Sequence, residues 1–148
     1  MITNLSEQIS SRIGFRVELI TAAQSITNGA ATAIIWNSDL EDPFGMTSGT
    51  TITIPPGQGG IWRISYCVQF ASNATGIRQA YVETSAPEYP GVDRRGAVNG
   101  TATNLSSSFD ISLAAGVTFS LKVVQSSGGA LDVNANTKLT FMSGYRIK

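Results

Sequence analysis

The last third of the chain contains two neighbouring segments in which apolar and polar residues alternate. In residues 105–113 and 117–123 an apolar side chain recurs at nearly every second position, with Ser, Thr, Asp and Lys between. Successive side chains of a β-strand point to opposite faces, so each segment would have one apolar face and one polar face. The short stretch between them, Ala114-Ala115-Gly116, suffices for a tight turn. The pattern therefore predicts an antiparallel hairpin within an all-β sandwich.

Strand-like segments recur along the rest of the chain at similar spacing, and they end at clusters of Gly, Pro or Asn. The other predicted strands cover residues 15–19, 31–36, 50–54, 61–70, 77–84, 95–103 and 138–147, and residues 37–49 are predicted to form a long loop. A series of about ten short antiparallel strands favours a jelly-roll β-sandwich. With 148 residues, the chain is interpreted as one such domain over residues 14–148, preceded by a short N-terminal leader, residues 1–13.

The surface of this chain is built largely without charge. Hydrophobic residues make up 42% of it, but only 14% is charged and the formal net charge is zero; soluble domains average about 25% charged residues. The composition offers no basic field for nucleic acid or for an anionic membrane, and no apolar run in the sequence reaches the ~18 residues of a membrane span. We therefore expect neither nucleic-acid binding nor membrane insertion. So few charges favour an oligomer or assembly that buries much of its surface, and the alternative is a neutral exterior covered by Ser and Thr.

The residue types that carry most enzyme chemistry are scarce. The chain has no histidine and a single cysteine, Cys67, which removes histidine-based triads, thiolate metal clusters and internal disulfides. No glycine-rich phosphate loop is present. We therefore predict a non-enzymatic protein without catalytic residues, cofactor or bound metal. Cys67 is interpreted as a packing residue, and an intermolecular disulfide or a reactive thiol is the alternative.

Two acidic segments offer oxygen atoms of the kind that bind calcium. Asp39, Glu41 and Asp42 are close together in the predicted loop, and residues 132–136 have the oxygen spacing that begins a calcium loop. The second segment lacks the glycine and the bidentate glutamate that such a loop requires. Ordinary solvated loops are the favoured interpretation of both segments.

The N-terminal leader has a helical pattern. Leu5, Ile9 and Ile13 recur at a spacing of four residues, which places them on one stripe of a helix that Asn4 or Ser6 would cap. So short a helix is not stable alone and needs a partner surface. The leader is interpreted as an anchor, and a frayed terminus is the alternative.

The best recognition candidate in the sequence is the loop around residues 85–96. It combines the aromatic Tyr89 with Asp93, Arg94 and Arg95, and its Pro and Gly residues limit its freedom. Tyr and Arg are enriched among the residues that dominate binding energy in protein interfaces. The alternative is an exposed loop that binds nothing.

The order of three motifs resembles the globular head of the recognition subunit of the first complement component, within the tumour-necrosis-factor-like jelly-roll superfamily. In that family a strand of the form Gly-x-Tyr-x-Phe-x-x-x-Val follows a Pro-Gly turn. Here Pro56-Gly57 is followed by Gly-Ile-Trp-Arg-Ile-Ser-Tyr-Cys-Val, residues 60–68. The family's final strand, Phe-x-Gly-Phe-x-Leu, is matched by Met-Ser-Gly-Tyr-Arg-Ile, residues 142–147.

The family's later hairpin, Leu-x-Leu-x-x-Gly-Asp-x-Val-x-Leu, is the third motif. Residues 111–121 match it as Ile-Ser-Leu-Ala-Ala-Gly-Val-Thr-Phe-Ser-Leu, with Val117 where the family has Asp. The resemblance implies a ten-stranded jelly roll that assembles as a homotrimer about an aromatic-rich threefold axis. Together with the strand alternation, it makes five aromatic residues candidates for the core or the trimer axis. They are Trp62, Tyr66, Phe109, Phe119 and Tyr145.

Heads of this kind also occur, without a collagen stalk, in bacteriophage virion proteins. The resemblance and the low charge lead to the hypothesis of a trimeric knob on the virion surface, assembled in the host cytoplasm and most simply a capsid decoration protein. Its partners would be other virion proteins of the capsid or tail. The first alternative is the receptor-binding tip of a tail fibre, with a host surface receptor or glycan as partner. The second is a secreted binding protein of the complement-head type.

Overall fold

The computed structural model describes residues 13–148, which form two antiparallel β-sheets packed as a sandwich. The strands are β1 (Gly14–Glu18), β2 (Gln24–Ile26), β3 (Thr32–Ala33), β4 (Ser38–Glu41), β5 (Thr47–Ser48), β6 (Thr51–Thr53), β7 (Gly60–Phe70), β8 (Ile77–Thr84), β9 (Asp93–Gly96), β10 (Thr103–Leu113), β11 (Thr118–Gln125), β12 (Leu131–Val133) and β13 (Phe141–Arg146). The sandwich confirms the predicted fold class. None of the described residues belongs to a helix that could cross a lipid bilayer.

Strand β7 is the centre of the first sheet, sheet A. Strand β10 pairs with it over its whole length on one side, while β13 and β12 share the other side. The sheet continues from β13 through β1 to β4, and β2 joins it beyond β12. The long edge of sheet A is therefore β10, whose neighbour in the sheet, within residues 13–148, is β7.

Strand β11 is the centre of the second sheet, sheet B. Strand β8 pairs with it on one side and is followed by β9, which forms the edge. The short strands β6 and β3 share the other side of β11, and β5 pairs with β6. The edge strands β9 and β10 of the two sheets thus lie next to each other.

The core between the sheets comes from alternate residues of the long strands. On β7 the inward residues Trp62, Ile64, Tyr66, Val68 and Phe70 are all buried, as the sequence pattern predicts. At 25 cal/mol per Å² or so, burying side chains of this size is the main stabilising contribution that such a sandwich has.

The two sheets approach closely near the start of β1. The ring of Phe119 on β11 lies 5.8 Å from the ring of Phe15 on β1, in a tilted arrangement. A Cβ atom at Gly144 of β13 would come within 2.7 Å of side-chain carbons of both Phe15 and Ile64. Gly144 is therefore required here by packing, since any side chain would displace these two core residues.

The structure corrects three parts of the sequence prediction. The two segments predicted to form a hairpin, β10 and β11, do not pair with each other: β10 pairs with β7 in sheet A and β11 with β8, β6 and β3 in sheet B, so residues 114–116 carry the chain from one sheet to the other. Residues 37–49, predicted as one long loop, contain the short strands β4 and β5. The strand predicted over residues 95–103 was wrong, because β9 covers Asp93–Gly96 and a loop follows it. Five of the thirteen strands have only two or three residues, which is too short for alternation to be recognised.

One charged side chain is buried within sheet B. The guanidinium group of Arg78 on β8 donates hydrogen bonds to the backbone carbonyls of Asn73, Thr75 and Ile77, at 2.9 to 3.1 Å. It also lies 5.9 Å from the ring of Phe70. Burial lowers the pKa of Arg78. The three carbonyls compensate the loss of water at the two terminal nitrogens, whereas the buried Nε atom has no hydrogen-bond partner among residues 13–148. Arg78 thereby holds the loop between β7 and β8 and fixes the start of β8.

Replacing Phe119 by Ala is expected to lower the free energy of unfolding by about 3–5 kcal/mol, because it leaves a cavity beside Phe15. Urea denaturation followed by tryptophan fluorescence would measure this change. The exposed Val98, replaced by Ala, is the control and should change the free energy by no more than about 0.5 kcal/mol. Equal midpoints for Phe119→Ala and Val98→Ala would contradict the placement of β11 in the core.

Candidate functional site

The predicted recognition loop is divided between two sides of strand β9. Asp93 and Arg95 lie opposite Ala80 and Arg78 of β8, whose side chains point into the sandwich. Arg94 lies opposite Gln79, whose side chain points outward. The four residues that the sequence grouped together therefore do not form one surface, and their role in binding stays a prediction.

Asp93 and Arg95 join the two edge strands. The Asp93 carboxylate accepts a hydrogen bond from the backbone N–H of Ser106 on β10, at 2.9 Å. It also pairs with the Nε atom of Arg95 at 3.1 Å. This carboxylate satisfies a backbone donor that an edge strand would otherwise leave unpaired, so the ion pair stabilises the edge of the sandwich.

A phenol closes the same edge from inside. The Tyr66 hydroxyl lies 3.1 Å from the carbonyl oxygen of Ala80 on β8, and it also donates to the carbonyl of Gly91. Burial raises the pKa of Tyr66, and the nearby charge of Asp93 raises it further, so the hydroxyl keeps its proton. Gly91 has a φ of +71°, and a side chain there would overlap the ring of Phe109. The β9–β10 edge is thus fixed by both a hydrogen bond and close packing.

The outward side of sheet B, called face B, carries an aromatic and polar cluster. The rings of Tyr81 and Tyr89 meet edge to face, with centroids 6.0 Å apart, and Tyr89 is 54% exposed. Gln79 is two residues before Tyr81 on the same side of β8, and Arg94 is directly opposite Gln79. We call Gln79, Tyr81, Tyr89 and Arg94 the Tyr–Arg cluster.

A shallow groove of about 370 Å³ extends the cluster along face B. Its polar lining includes six hydroxyl side chains, namely Thr50, Thr51, Thr84, Ser85, Thr118 and Ser120. The ammonium group of Lys122 lies 3.4 Å from the carboxylate of Glu83 at its side, and Lys122 is directly opposite Tyr81 in the sheet. The groove and the Tyr–Arg cluster therefore form one continuous strip.

The outward side of sheet A, called face A, has a different character. Two ion pairs lie on it: Arg63 binds Asp110 through two hydrogen bonds of 2.7 and 2.8 Å, and Arg16 contacts Glu18 at 3.4 Å. The guanidinium carbon of Arg16 also lies 4.2 Å from the centre of the Phe141 ring.

The middle of face A consists of small residues. Ser65 and Ser108 share a hydrogen bond of 2.8 Å, and Ser143 and Cys67 lie in the adjoining positions of β13 and β7. Cys67 is half-buried, and burial raises the pKa of its thiol. Its environment agrees with a packing role more than with a reactive thiolate.

The five aromatic candidates for core or axis occupy three kinds of position. Trp62, Tyr66 and Phe119 are buried between the sheets. Phe109 is half-buried at the β10 edge, where it packs against Gly91. Tyr145 is half-buried on face A, opposite Arg63 in the sheet and hydrogen-bonded to it.

The leader lies almost entirely outside the described residues. Leu5 and Ile9 lie outside the described residues 13–148, so the anchoring role stays a prediction. Ile13 is half-buried against the core, and its backbone carbonyl accepts a hydrogen bond of 3.0 Å from the N–H of Arg146.

The acidic segments serve local structure. The Asp42 carboxylate accepts hydrogen bonds from the backbone N–H groups of Met46 and Thr47 and from the Thr47 hydroxyl, at 2.6 to 3.0 Å. Asn136 accepts one from the N–H of Lys138 at 2.9 Å. Within residues 13–148, no three His, Cys, Asp or Glu side chains come together as metal ligands would.

Gln79, Tyr81 and the groove were not among the site features predicted from the sequence. The alternation of residues 77–84 gives the outward positions of β8, but it does not show which residues of β9 and β11 lie beside them. A cross-strand register was needed to bring Arg94 to Gln79 and Lys122 to Tyr81.

The chain is similar in fold to solved structures of several animal proteins. Murine APRIL, in its crystal structure at pH 8.0, aligns over 93% of this chain and 100% of that chain, with a TM-score of 0.73 and 14% identity. Eiger TNF from S. frugiperda aligns over 93% of each chain, with a TM-score of 0.72 and 8% identity. The globular domain of zebrafish complement 1qA aligns over 91% of this chain and 97% of that chain, with a TM-score of 0.63 and 12% identity.

These similarities concern the fold. No protein-family model matches the chain, and no curated protein sequence matches it. At identities of 8 to 14%, the shared feature is the jelly-roll sandwich of the tumour-necrosis-factor proteins and complement heads. The jelly roll expected from the sequence motifs is thereby confirmed.

The Arg63–Asp110 pair allows a test of the structure that does not depend on the function of the protein. The hydrogen bond from Arg63 lowers the pKa of Asp110 below its ordinary value, so Arg63→Gln is expected to raise that pKa. In the wild type, the pair stabilises the fold above the ordinary aspartate pKa, and this contribution is lost as the pH falls through the lowered one. NMR titration of the Asp110 carboxyl carbon measures the shift.

The matched control is Arg16→Gln, which removes the same charge from face A at a site that does not contact Asp110. It should leave the Asp110 titration unchanged. Identical Asp110 titrations in Arg63→Gln and Arg16→Gln would show that the observed hydrogen bond does not persist in solution.

Proposed function

We propose that the chain assembles as a homotrimer and acts as a non-enzymatic structural knob on the outer surface of a bacteriophage virion, as a capsid decoration protein. The single observation that carries the proposal is face A. Four of its charged residues form two ion pairs, its middle is made of small uncharged residues, and its aromatic residues Phe141 and Tyr145 are only half-buried. This part of face A can be buried against another copy without breaking either ion pair, and the exposed Asp132 of β12 lies outside it.

A second apolar surface lies at the β9–β10 edge. Phe109 and Ile111 are half-buried there, and Val92 is 56% exposed. Within residues 13–148, β10 is an edge strand of eleven residues. A long uncovered edge strand invites pairing with other chains, so natural proteins cover it. In the proposed assembly the neighbouring copy covers this edge.

Two different surfaces on one chain favour a closed ring. When one surface of a protomer contacts the other surface of the next, the contact is heterologous and closes if the rotation permits. The resemblance to trimeric jelly-roll heads supports a rotation of threefold order. Phe141 and Tyr145 of face A would then be the aromatic residues nearest the axis.

The location on a virion is supported by composition and by the leader. A net charge of zero and only 14% charged residues suit a protein whose surface is largely shared with neighbours in an assembly. The apolar side chains of Leu5 and Ile9 are the proposed contact with the capsid lattice, because a stripe of this type needs a partner surface; Ile13, the third residue of the stripe, packs against the core.

One observation favours a second function, receptor recognition at the tip of a tail fibre. The Tyr–Arg cluster on face B is exposed and has the residue types found at binding hot spots. The two functions differ in whether the protein binds a ligand on the host cell. An intact gene product that continues upstream into a fibre shaft would favour the tail fibre.

The trimer predicts a solution mass close to three times the chain mass of 15.6 kDa. Cys67→Arg places a large charge in the middle of face A, and is therefore expected to yield monomers. Val124→Arg is the matched control, because Val124 has the corresponding outward position on β11, the central strand of sheet B. Light scattering coupled to size exclusion measures the mass of all three proteins.

A monomeric wild type would refute the trimer while leaving the sandwich intact. A trimer that persists in Cys67→Arg would show that face A is not the interface, and loss of the trimer in both variants would show that an inserted arginine on either face disrupts the protein. Circular dichroism of the Cys67→Arg monomer separates dissociation from unfolding.

The leader predicts loss of capsid binding when its stripe is removed. Deletion of residues 1–12, or Leu5→Ser with Ile9→Ser, should abolish incorporation into virions of the phage that encodes the chain, while the trimer mass is kept. Ser6→Ala with Ser10→Ala is the control and should incorporate normally. Incorporation of the deletion variant at the wild-type level would reject the anchoring role.

A further inference from the structure

Face B carries recognition-type side chains that the proposed assembly does not use. The Tyr–Arg cluster lies on the side of the sandwich opposite face A. It consists of an aromatic pair, an amide and a guanidinium group at one end of a polar groove. The class of ligand inferred for this cluster rests on the recognition function proposed for face B.

The spacing of the cluster follows from the sheet. Glu83, Tyr81 and Gln79 are consecutive outward residues of β8, about 7 Å apart by strand geometry. Tyr89 contacts Tyr81 at one position and Arg94 lies across from Gln79 at the next. An aromatic platform and a cation thus stand one outward position apart, a distance that one sugar ring and its carboxylate can span.

Arg94 and Arg95 are adjacent in sequence but differ in their partners. Arg95 pairs with Asp93 at 3.1 Å, whereas Arg94 is exposed and makes no hydrogen bond or ion pair with any other residue in 13–148. An arginine fork binds a carboxylate through two parallel hydrogen bonds. The free guanidinium of the cluster therefore suits a ligand with a carboxylate.

The tyrosine pair suits a sugar ring. The face of an aromatic ring is electronegative, and it attracts the electropositive C–H groups on the apolar side of a pyranose. The sugar's hydroxyls need partners at the edge of that platform. Gln79 supplies an amide, Lys122 and Glu83 supply charged groups, and the groove beyond supplies six hydroxyl side chains.

The geometry points to a binding site on face B for a carboxylate-bearing saccharide. The sugar ring packs on Tyr89 and Tyr81, the carboxylate binds Arg94, and the remaining hydroxyls bind Gln79 and the groove. A protein partner is disfavoured because a hot spot for proteins is a well-packed pocket that excludes water. The groove here is shallow and lined by hydroxyl groups.

The test uses a defined acidic oligosaccharide. Oligogalacturonate is titrated into the intact protein and followed by isothermal calorimetry and by amide NMR shifts. The same oligosaccharide with its carboxylates reduced to alcohols is the ligand control. We expect saturable binding of the acid form, NMR shifts confined to β8, β9 and the groove, and at least tenfold weaker binding of the reduced form.

Three variants separate the cluster from general electrostatics. Arg94→Gln and Tyr89→Ala should each weaken binding at least tenfold; both residues are exposed, so the fold is kept. Arg95→Gln removes the same charge one residue away and should change the affinity less than twofold. Equal losses in Arg94→Gln and Arg95→Gln would overturn the site, since they would show only a diffuse attraction.

The ligand class and the recognition function fail in different ways. If the wild type binds neither oligogalacturonate nor polysialic acid, the saccharide proposal is overturned. If in that case the wild-type protein attaches to bacterial cells and the Arg94→Gln and Tyr89→Ala variants do not, recognition by the cluster stands with another class of ligand. If wild type and variants attach equally, the recognition function is overturned as well.

Discussion

The closure of one edge determines how this sandwich is held together. Two sheets packed face to face are joined mainly by apolar contacts, which have no direction and do not fix one sheet against the other. At the β9–β10 edge, hydrogen bonds, which are directional, fix one sheet against the other. The Tyr66 hydroxyl reaches from sheet A to carbonyls of sheet B, and the Asp93 carboxylate reaches from sheet B to Ser106 of sheet A. These three bonds, together with the bond from the Gln125 amide of β11 to the carbonyl of Ile26 on β2, fix the relative positions of the two outward faces.

The long strands were predictable because alternation extends over many residues. In β7 and β11 every second side chain is buried, so the sequence pattern gives both the strand and its inward face. The pattern cannot show how far a strand lies from the edge. Phe109 alternates correctly on β10, yet it is half-buried because β10 is the last strand of its sheet within the described residues. Strands such as β4 and β12 are too short to carry a pattern.

The candidate sites were predictable in residue type but not in grouping. Tyr89, Asp93, Arg94 and Arg95 are close in sequence, and the composition of the loop predicts a recognition role for them. Alternation along β9 then sends Asp93 and Arg95 toward β10 and Arg94 toward face B. Gln79, which lies beside Arg94 in the sheet, is on β8 and fifteen residues away in the chain. Only the pairing register brings the two residues together.

The opposite orientation of faces A and B has a consequence for avidity. In a ring closed through face A, the three copies of face B point radially outward, away from one another. A flat surface that meets the trimer end-on would then meet the loops at the ends of the strands, and could not engage three clusters together. A long, flexible chain that wraps around the ring could do so, and each contact after the first would form at high effective concentration. The proposed trimer would thus favour polymers over planar arrays, and weak single sites would suffice for firm attachment.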